Sequence, residues 1–287
     1  MERPHHKFWP TRLPHAINPP QISLWDNLAI SARRYPDKPA LIFFGRIFSY
    51  ADLLARTERL AARLFGMGVR KGDRVILDMQ NCPQLVIAHF AILRANAVVV
   101  PVNPMNRAEE IKHYITDPDA KVAITSGDLA GEIAKASDAL PADQRLAHMI
   151  VTQFTDAFDA DVSGQDALPA AWHDWLLTRH ALPALEGGKV MAWEEALDNT
   201  LAPPALDVGP QDLAVLPYTS GTTGLPKGIL FDHAAALQHG TVACLEYEIG
   251  AHARYLIQIP HNSCVNITIV PVLMAGAAVG FAESRGF

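Results

Sequence analysis

Runs of β-branched and apolar residues alternate with helix-length amphipathic stretches through the first 130 residues, and this alternation restricts the fold more than any other feature. Leu24 to Tyr35 has the apolar spacing of a helix and is closed by Pro36. Ala40 to Phe44 and Ile47 to Tyr50 predict two short strands around Gly45. Ser49 with Asp52 three positions on is a relative of the capping box. Leu53, Leu54, Leu60, Ala61 and Leu64 then share one helical face, and Gly66 and Gly68 end that helix. Arg74 to Met79, Ala97 to Val100 and Lys121 to Thr125 predict strands. Between them Pro83 to Leu93 and Glu109 to Ile115 predict helices, the first apolar on nearly every side and therefore buried on several. Repeated units of this length define an α/β fold: layered sheets, mixed to mostly parallel, flanked by helices.

The remainder of the chain is less regular before it becomes regular again. Asp128 to Ser137 predicts a helix and Met149 to Thr152 a strand, followed by pieces rich in Asp, Gly and Pro in which Trp172, Trp175 and Trp193 are expected to be core anchors. Trp193 and Leu197 stand four apart, on one helical face. Ala202 to Pro210, with three prolines and a glycine, reads as a connector. Asp212 to Tyr218 predicts an apolar strand, His233 to Leu245 a helix, Arg254 to Ile259 a strand, Asn266 to Leu273 a helix and Ala277 to Phe281 a strand. The expected organisation is an irregular arm at 1–20, a first α/β lobe at 21–205 and the start of a second at 206–287. A parallel sheet whose last strand finishes six residues before the end leaves an open edge, so the second lobe is expected to be incomplete or covered by an oligomeric partner.

Charge and composition exclude several classes. With 24 Lys and Arg against 30 Asp and Glu the formal charge is -6, and no basic run offers a nucleic-acid surface. Cys82, Cys244 and Cys264 are far apart and form neither a disulfide framework nor a metal-ligand set, which fits a reducing compartment. The opening residues lack the apolar run of a signal peptide; His5 and His6 read as solvated side chains of the arm. No segment reaches the roughly 18 apolar residues that span a bilayer. No nucleophile–histidine–acid order, paired-carboxylate signal or zinc-protease motif stands out, and no metal ligands are assigned.

The densest chemical signal is Tyr218 to Gly228, YTSGTTGLPKG, directly after a predicted strand. Glycines let backbone approach a ligand closely, and successive amides with Ser and Thr hydroxyls can surround phosphate oxygens. Lys227 adds a mobile positive charge. The segment is no Walker A loop, because Lys227 does not follow a glycine, and no dinucleotide fingerprint, because Thr222 and Thr223 separate the glycines.

YTSGTTGLPKG closely resembles the signature of the adenylate-forming superfamily, which comprises acyl-CoA synthetases, peptide-synthetase adenylation domains and luciferases. GMGVRKGDRVILDMQNCPQ at 66–84 and VVVPVNPMNRAEEIKHYITDPDAKVAI at 98–124 are similar to its fatty-acid and aromatic-acid CoA ligase branches. The resemblance covers residues 20–280 and implies a truncated large N-terminal domain of such an enzyme. It implies that Thr219, Ser220, Gly221, Thr222, Thr223, Gly224 and Lys227 hold the ATP phosphates, with Mg2+ sharing the charge and Lys227 assisting departure of pyrophosphate. It also implies that His261 stands near the acyl pocket, although Pro260 and Cys264 depart from the usual surroundings, and that His233 supports a helix start. The reaction implied is ATP-dependent activation of a carboxylic acid, fatty acids first and aromatic acids second, to an acyl-adenylate and then to the thioester of coenzyme A. A cytoplasmic location follows from the same resemblance, with peripheral membrane contact compatible. Adenine, ribose and C-terminal lysine contacts would lie downstream, so the chain alone is expected to lack complete ligase activity. Two other readings stay open: an adenylation domain acting with a carrier protein, and a non-catalytic nucleotide- or partner-binding half-enzyme.

Overall fold

The computed structural model describes residues 3–157, 172–219, 224–257 and 269–281. After a short 3-10 turn at Pro4–Phe8, helix α1 (Leu24–Arg34) starts at Ser23, whose hydroxyl accepts from the Asp26 amide while Asp26 accepts in return. Strands β1 (Pro39–Phe43) and β2 (Arg46–Ser49) form a hairpin, and Ser49 with Asp52 makes the second reciprocal cap, opening α2 (Tyr50–Gly66). The chain then runs through β3 (Arg74–Asp78), α3 (Pro83–Arg94), β4 (Val98–Pro101), α4 (Ala108–Thr116), β5 (Val122–Ser126), α5 (Ala130–Asp138) and β6 (His148–Thr152). Short α6 (His173–Leu177), β7 (Lys189–Ala192) and α7 (Trp193–Leu197) follow. Next come β8 (Leu213–Val215), the β9–β10 hairpin (Tyr218–Thr219 and Lys227–Gly228) and β11 (Phe231–Asp232). Helix α8 (His233–Glu246), β12 (Arg254–Ile257) and β13 (Ala278–Phe281) complete the order, with a further helical stretch at 269–274.

Two sheets organise these elements. The larger has the order β11-β8-β4-β3-β5-β6-β7, parallel throughout except for β11 at its edge. The smaller has the order β12-β13-β1-β2, with only the β1–β2 pair antiparallel. Alternation along each strand sends successive side chains to opposite faces. Accordingly Val75 and Leu77 belong to one hydrophobic core, with α1, α2 and α3, whereas Ile76 belongs to the other, with α4 and α5. The first core also takes in Leu41, Phe43 and Val279 from the small sheet, so α3 lies between both sheets. That position buries every residue of α3 except Arg94, which explains why the helix has no polar face.

Trp193 is 1% exposed and Leu197 4%, as their shared face predicts. The connector at 202–210 is fastened across the α3–β4 turn: Arg94 donates to the Pro204 carbonyl at 2.6 Å, and the Asn96 amide donates to Ala205 and accepts from the Asp207 N–H. The sheets do not divide the chain where the connector does. β8, after the connector, joins the large sheet beside β4, while β1 and β2, from the beginning of the chain, share the small sheet with β12 and β13. Sequence periodicity carries no record of which distant strands pair.

Candidate functional site: the hydroxyl-rich hairpin

β8 leads directly from the large sheet into β9, and β10 returns antiparallel to it with Lys227 opposite Thr219 and Gly228 opposite Tyr218. The register places a hydroxyl and an ammonium-bearing residue at the same level of the hairpin, with the glycine-rich segment between them. The Thr219 hydroxyl donates to the Lys227 carbonyl at 3.4 Å, and both residues are exposed. The remaining loop positions expected to touch phosphate, Ser220, Gly221, Thr222 and Thr223, lie outside the described residues, as does His261. Gly224, three residues before β10, is exposed.

Both ends of the loop are braced by one helix. Before the loop, the Tyr218 hydroxyl donates to Asp117 Oδ2 at 2.5 Å. After it, His113 Nε2 lies 2.7 Å from the Pro226 carbonyl; an acceptor oxygen requires that nitrogen to carry the proton. His113 and Asp117 are four residues apart, at α4 and its C-cap, and so emerge on one side of the helix, while Ile111, Tyr114 and Ile115 are buried. The Tyr218 ring completes the contact, with centroids 4.7 Å from Tyr114 and 5.6 Å from His113. Burial, reinforced by the bond to Asp117, pushes the Tyr218 phenol well above its ordinary range and keeps it a donor. Composition of the loop alone carries no hint of this brace, and His113 and Asp117 do not stand out on a helix that also bears Glu109, Glu110, Lys112 and Thr116.

The helix after the hairpin is held independently. Asp232 caps α8 by accepting from the Ala235 N–H at 2.6 Å, and the His233 and Ala234 amides reach the Asp212 and Pro210 carbonyls. His233 is 1% exposed, and its Nδ1 accepts the Leu24 N–H at 3.1 Å, one of the four amides that a helix start leaves without an intrahelical partner. It therefore ties α1 to α8, in keeping with a supporting role at the helix start.

Of the groups that suit phosphate oxygens, the described part of the hairpin holds the Thr219 hydroxyl and the exposed Lys227. Among the described residues no group of three His, Cys, Asp or Glu converges as a metal site, so no side chain is assigned to Mg2+. Nor is any helix among them long and apolar enough to cross a membrane. A cavity of about 680 Å³ lies elsewhere, between α2 and α7; Arg56 and Arg59 line it together with Asp52, Glu194, Glu195 and Asp198, a mixture that selects neither sign of ligand.

This arrangement of two helix-flanked, mostly parallel sheets and a hydroxyl-rich hairpin is the architecture of the N-terminal domain of adenylate-forming enzymes. The chain belongs to the family of AMP-binding enzymes, which it matches over residues 28–286. It is similar to a long-chain-fatty-acid–CoA ligase of Escherichia coli, with 32% identity over 78% of this chain and 39% of that enzyme. A long-chain-fatty-acid–CoA ligase of Bacillus subtilis is 31% identical over 81% of this chain and 40% of its own length. The chain thus spans about two fifths of the length of these curated relatives. Among solved structures, the nonribosomal peptide synthetase FmoA3 superposes with a TM-score of 0.70 at 20% identity, covering 99% of this chain and 25% of that one.

Proposed function

We propose that this chain supplies the ATP-phosphate-binding portion of an enzyme that activates a carboxylic acid as its acyl-adenylate. The observation that carries the reading is the hairpin, with Thr219 and Lys227 in register and both flanks pinned to α4. In the proposed step a carboxylate oxygen bonds to the α-phosphorus of ATP, the bond to the bridging oxygen of the β-phosphate breaks, and pyrophosphate leaves. The carboxylate is already a nucleophile at neutral pH, so alignment and neutralisation of charge matter more than a general base. Lys227 is assigned to charge on the departing pyrophosphate, and Thr219, Ser220, Gly221, Thr222, Thr223 and Gly224 to the phosphate oxygens. His261 is assigned to the acyl side of the site. Mg2+, held through the phosphates, would supply further charge compensation.

Two acceptors are compatible with the second step, in which a thiol adds to the acyl carbonyl and AMP departs. The family and the likeness to a peptide synthetase over nearly the whole chain support the shared adenylation step and a carrier-protein thiol. The identity to fatty-acid ligases supports coenzyme A as acceptor and a fatty acid as substrate, with aromatic acids as the second choice.

The test is calorimetric titration of the purified chain with Mg-ATP, followed by ATP–pyrophosphate exchange over a panel of fatty and aromatic acids. Saturable binding that Lys227→Ala weakens about tenfold or more, with unchanged thermal stability, is expected for a charged phosphate contact. A folded chain that neither binds the nucleotide nor exchanges pyrophosphate overturns the reading. Where exchange occurs, release of AMP on adding coenzyme A or a phosphopantetheinyl carrier protein distinguishes the acceptors.

A further inference from the structure

We propose that the amino-terminal arm is a docking surface for anionic lipid bilayers. From Arg3 to Trp25 the sequence holds Arg3, Lys7, Arg12 and three histidines but no acidic residue, in a chain whose formal charge is -6. Glu2 precedes this stretch and Arg12 is paired with Glu248, so Arg3 and Lys7 are its free cations, and anionic headgroups attract such a segment. Charge alone would suit any polyanion; the aromatic residues narrow the choice.

Phe8 is 79% exposed and Trp9 38%, adjacent at the end of the 3-10 turn. A single exposed apolar side chain is ordinary. Here, however, Lys7 Nζ stands 4.9 Å from the Phe8 ring centroid, so a cation and a bare aromatic ring are presented together. The Trp9 indole N–H is satisfied by the Leu13 carbonyl at 3.0 Å, and its ring lies beside those of His5, His6 and His15 with centroids 6.1, 6.3 and 6.1 Å away, so only part of it faces outward. Aromatic rings beside basic side chains match the boundary between headgroups and acyl chains, where rings enter and ammonium groups remain at the phosphates. A nucleic acid would reward a higher density of cations than Arg3 and Lys7 provide.

The arm is positioned rather than trailing. The Arg12 guanidinium donates to the Leu245 and Glu246 carbonyls at 3.1 and 3.2 Å, the C-terminal end of α8, and pairs with Glu248 at 3.4 Å. Cations are favourable at that end of a helix. Between the anchored arm and α8 runs a groove of about 320 Å³ whose apolar lining is Trp9, Leu13, Ile17, Val242 and Leu245, with His15, Gln238 and Glu246 also on its wall. Val242 and Leu245 are 41% and 38% exposed, so the aromatic edge of the arm continues into an apolar trough that can receive part of a lipid tail.

The proposal does not depend on adenylation, and its test is blind to it. The purified chain is sedimented with vesicles of phosphatidylcholine alone and with vesicles containing one third phosphatidylglycerol. Binding to the anionic vesicles only, weakened by salt, is expected. The double variant Phe8→Ala/Trp9→Ala should lower the partition coefficient by roughly tenfold or more. Lys7→Gln should lower it by about fivefold, the value of one basic residue near an anionic surface. Ile47→Ala, which removes a 57% exposed side chain from β2, should leave it unchanged. Absence of binding to anionic vesicles, or binding that the aromatic pair does not influence, overturns the proposal. So does retention of the wild-type chain on heparin beads with no vesicle binding, which would assign the arm to a soluble polyanion.

Discussion

The Tyr218 hydroxyl and the Asp117 carboxylate, 101 residues apart in the chain, are joined at 2.5 Å, and this bond fixes where the strand after β8 enters the glycine-rich loop. A neutral donor to a carboxylate makes one of the stronger protein hydrogen bonds, although partial exposure discounts it. Tyr218→Phe keeps the ring against Tyr114 and removes only the bond. It should weaken Mg-ATP binding by about twofold to tenfold, the range of a net hydrogen bond, and lower Tm by no more than about 4 °C. Asp117→Asn, which can still accept, should fall between Tyr218→Phe and the parent. Equal nucleotide affinity in all three proteins would remove the brace from the site.

Acid stability tests the buried pair behind α8. Burial lowers His233 to about 4, despite the opposing pull of Asp212, Asp232 and Asp26, and lowers His89 to about 3, with repulsion from His233 adding to burial. Both folded values lie below the ordinary histidine value of 6.5. The unfolded chain therefore takes up protons first, and stability present above that pH is lost as the pH falls towards about 4. Thermal unfolding should be nearly independent of these groups above pH 7 and decline steeply from pH 6 to 4. His233→Gln, whose carbonyl can accept from the Leu24 amide without binding a proton, should make that decline shallower. A variant with the parental acid slope would show that His233 is not the group responsible.

What was readable in the sequence, and what was not, divides by range. Ser49 and Asp52 announce their cap because the interaction closes within three residues, and Pro83 to Leu93 announces its burial because no face is polar. The glycines and hydroxyls from Thr219 to Gly224 carry the proposed phosphate role by their types alone. The Val279–Leu41 strand pairing, by contrast, links residues at opposite ends of the chain, and many partners would satisfy the same local pattern. The brace was hidden for the same reason: His113 and Asp117 look like ordinary solvent-facing helix residues until the fold brings Pro226 and Tyr218 against them.

Asp78 gives a stability prediction of opposite sign. It ends β3 at 1% exposure, and its Oδ1 accepts no hydrogen bond, while neighbouring Asp128 is served by the Ser126 hydroxyl at 2.5 Å and the Trp175 indole at 3.3 Å. Burial, then the charge of Asp128, raises its carboxyl to about 8. A raised carboxyl value means that stability is complete below the unfolded value near 3.8 and is lost as the pH rises towards 8. Asp78→Asn is isosteric and cannot ionise. Its Tm relative to the parent should rise from pH 4 to pH 8, ending several degrees above it. A relative Tm that does not change with pH would mean that Asp78 keeps its charge in the fold.

Gly276 separates two costs that usually arrive together. It has a φ of +71°, and a Cβ built there would lie 2.4 Å from Cδ2 and Cε2 of Tyr35. The residue turns the chain from 269–274 into β13, the strand between β1 and β12, so distortion here reaches the centre of the small sheet. Gly276→Ala should cost about 2–4 kcal/mol, the sum of a left-handed backbone and an overpacked contact with the Tyr35 ring. Gly187 provides the comparison: its φ is +75°, but a Cβ there would meet nothing within 4 Å. Gly187→Ala should therefore cost only the backbone share, about 1–2 kcal/mol. At roughly 2–4 °C per kcal/mol, parallel thermal melts would resolve the difference. Equal losses in the two variants would mean that Tyr35 yields freely, and that the α1 end is not what holds this turn.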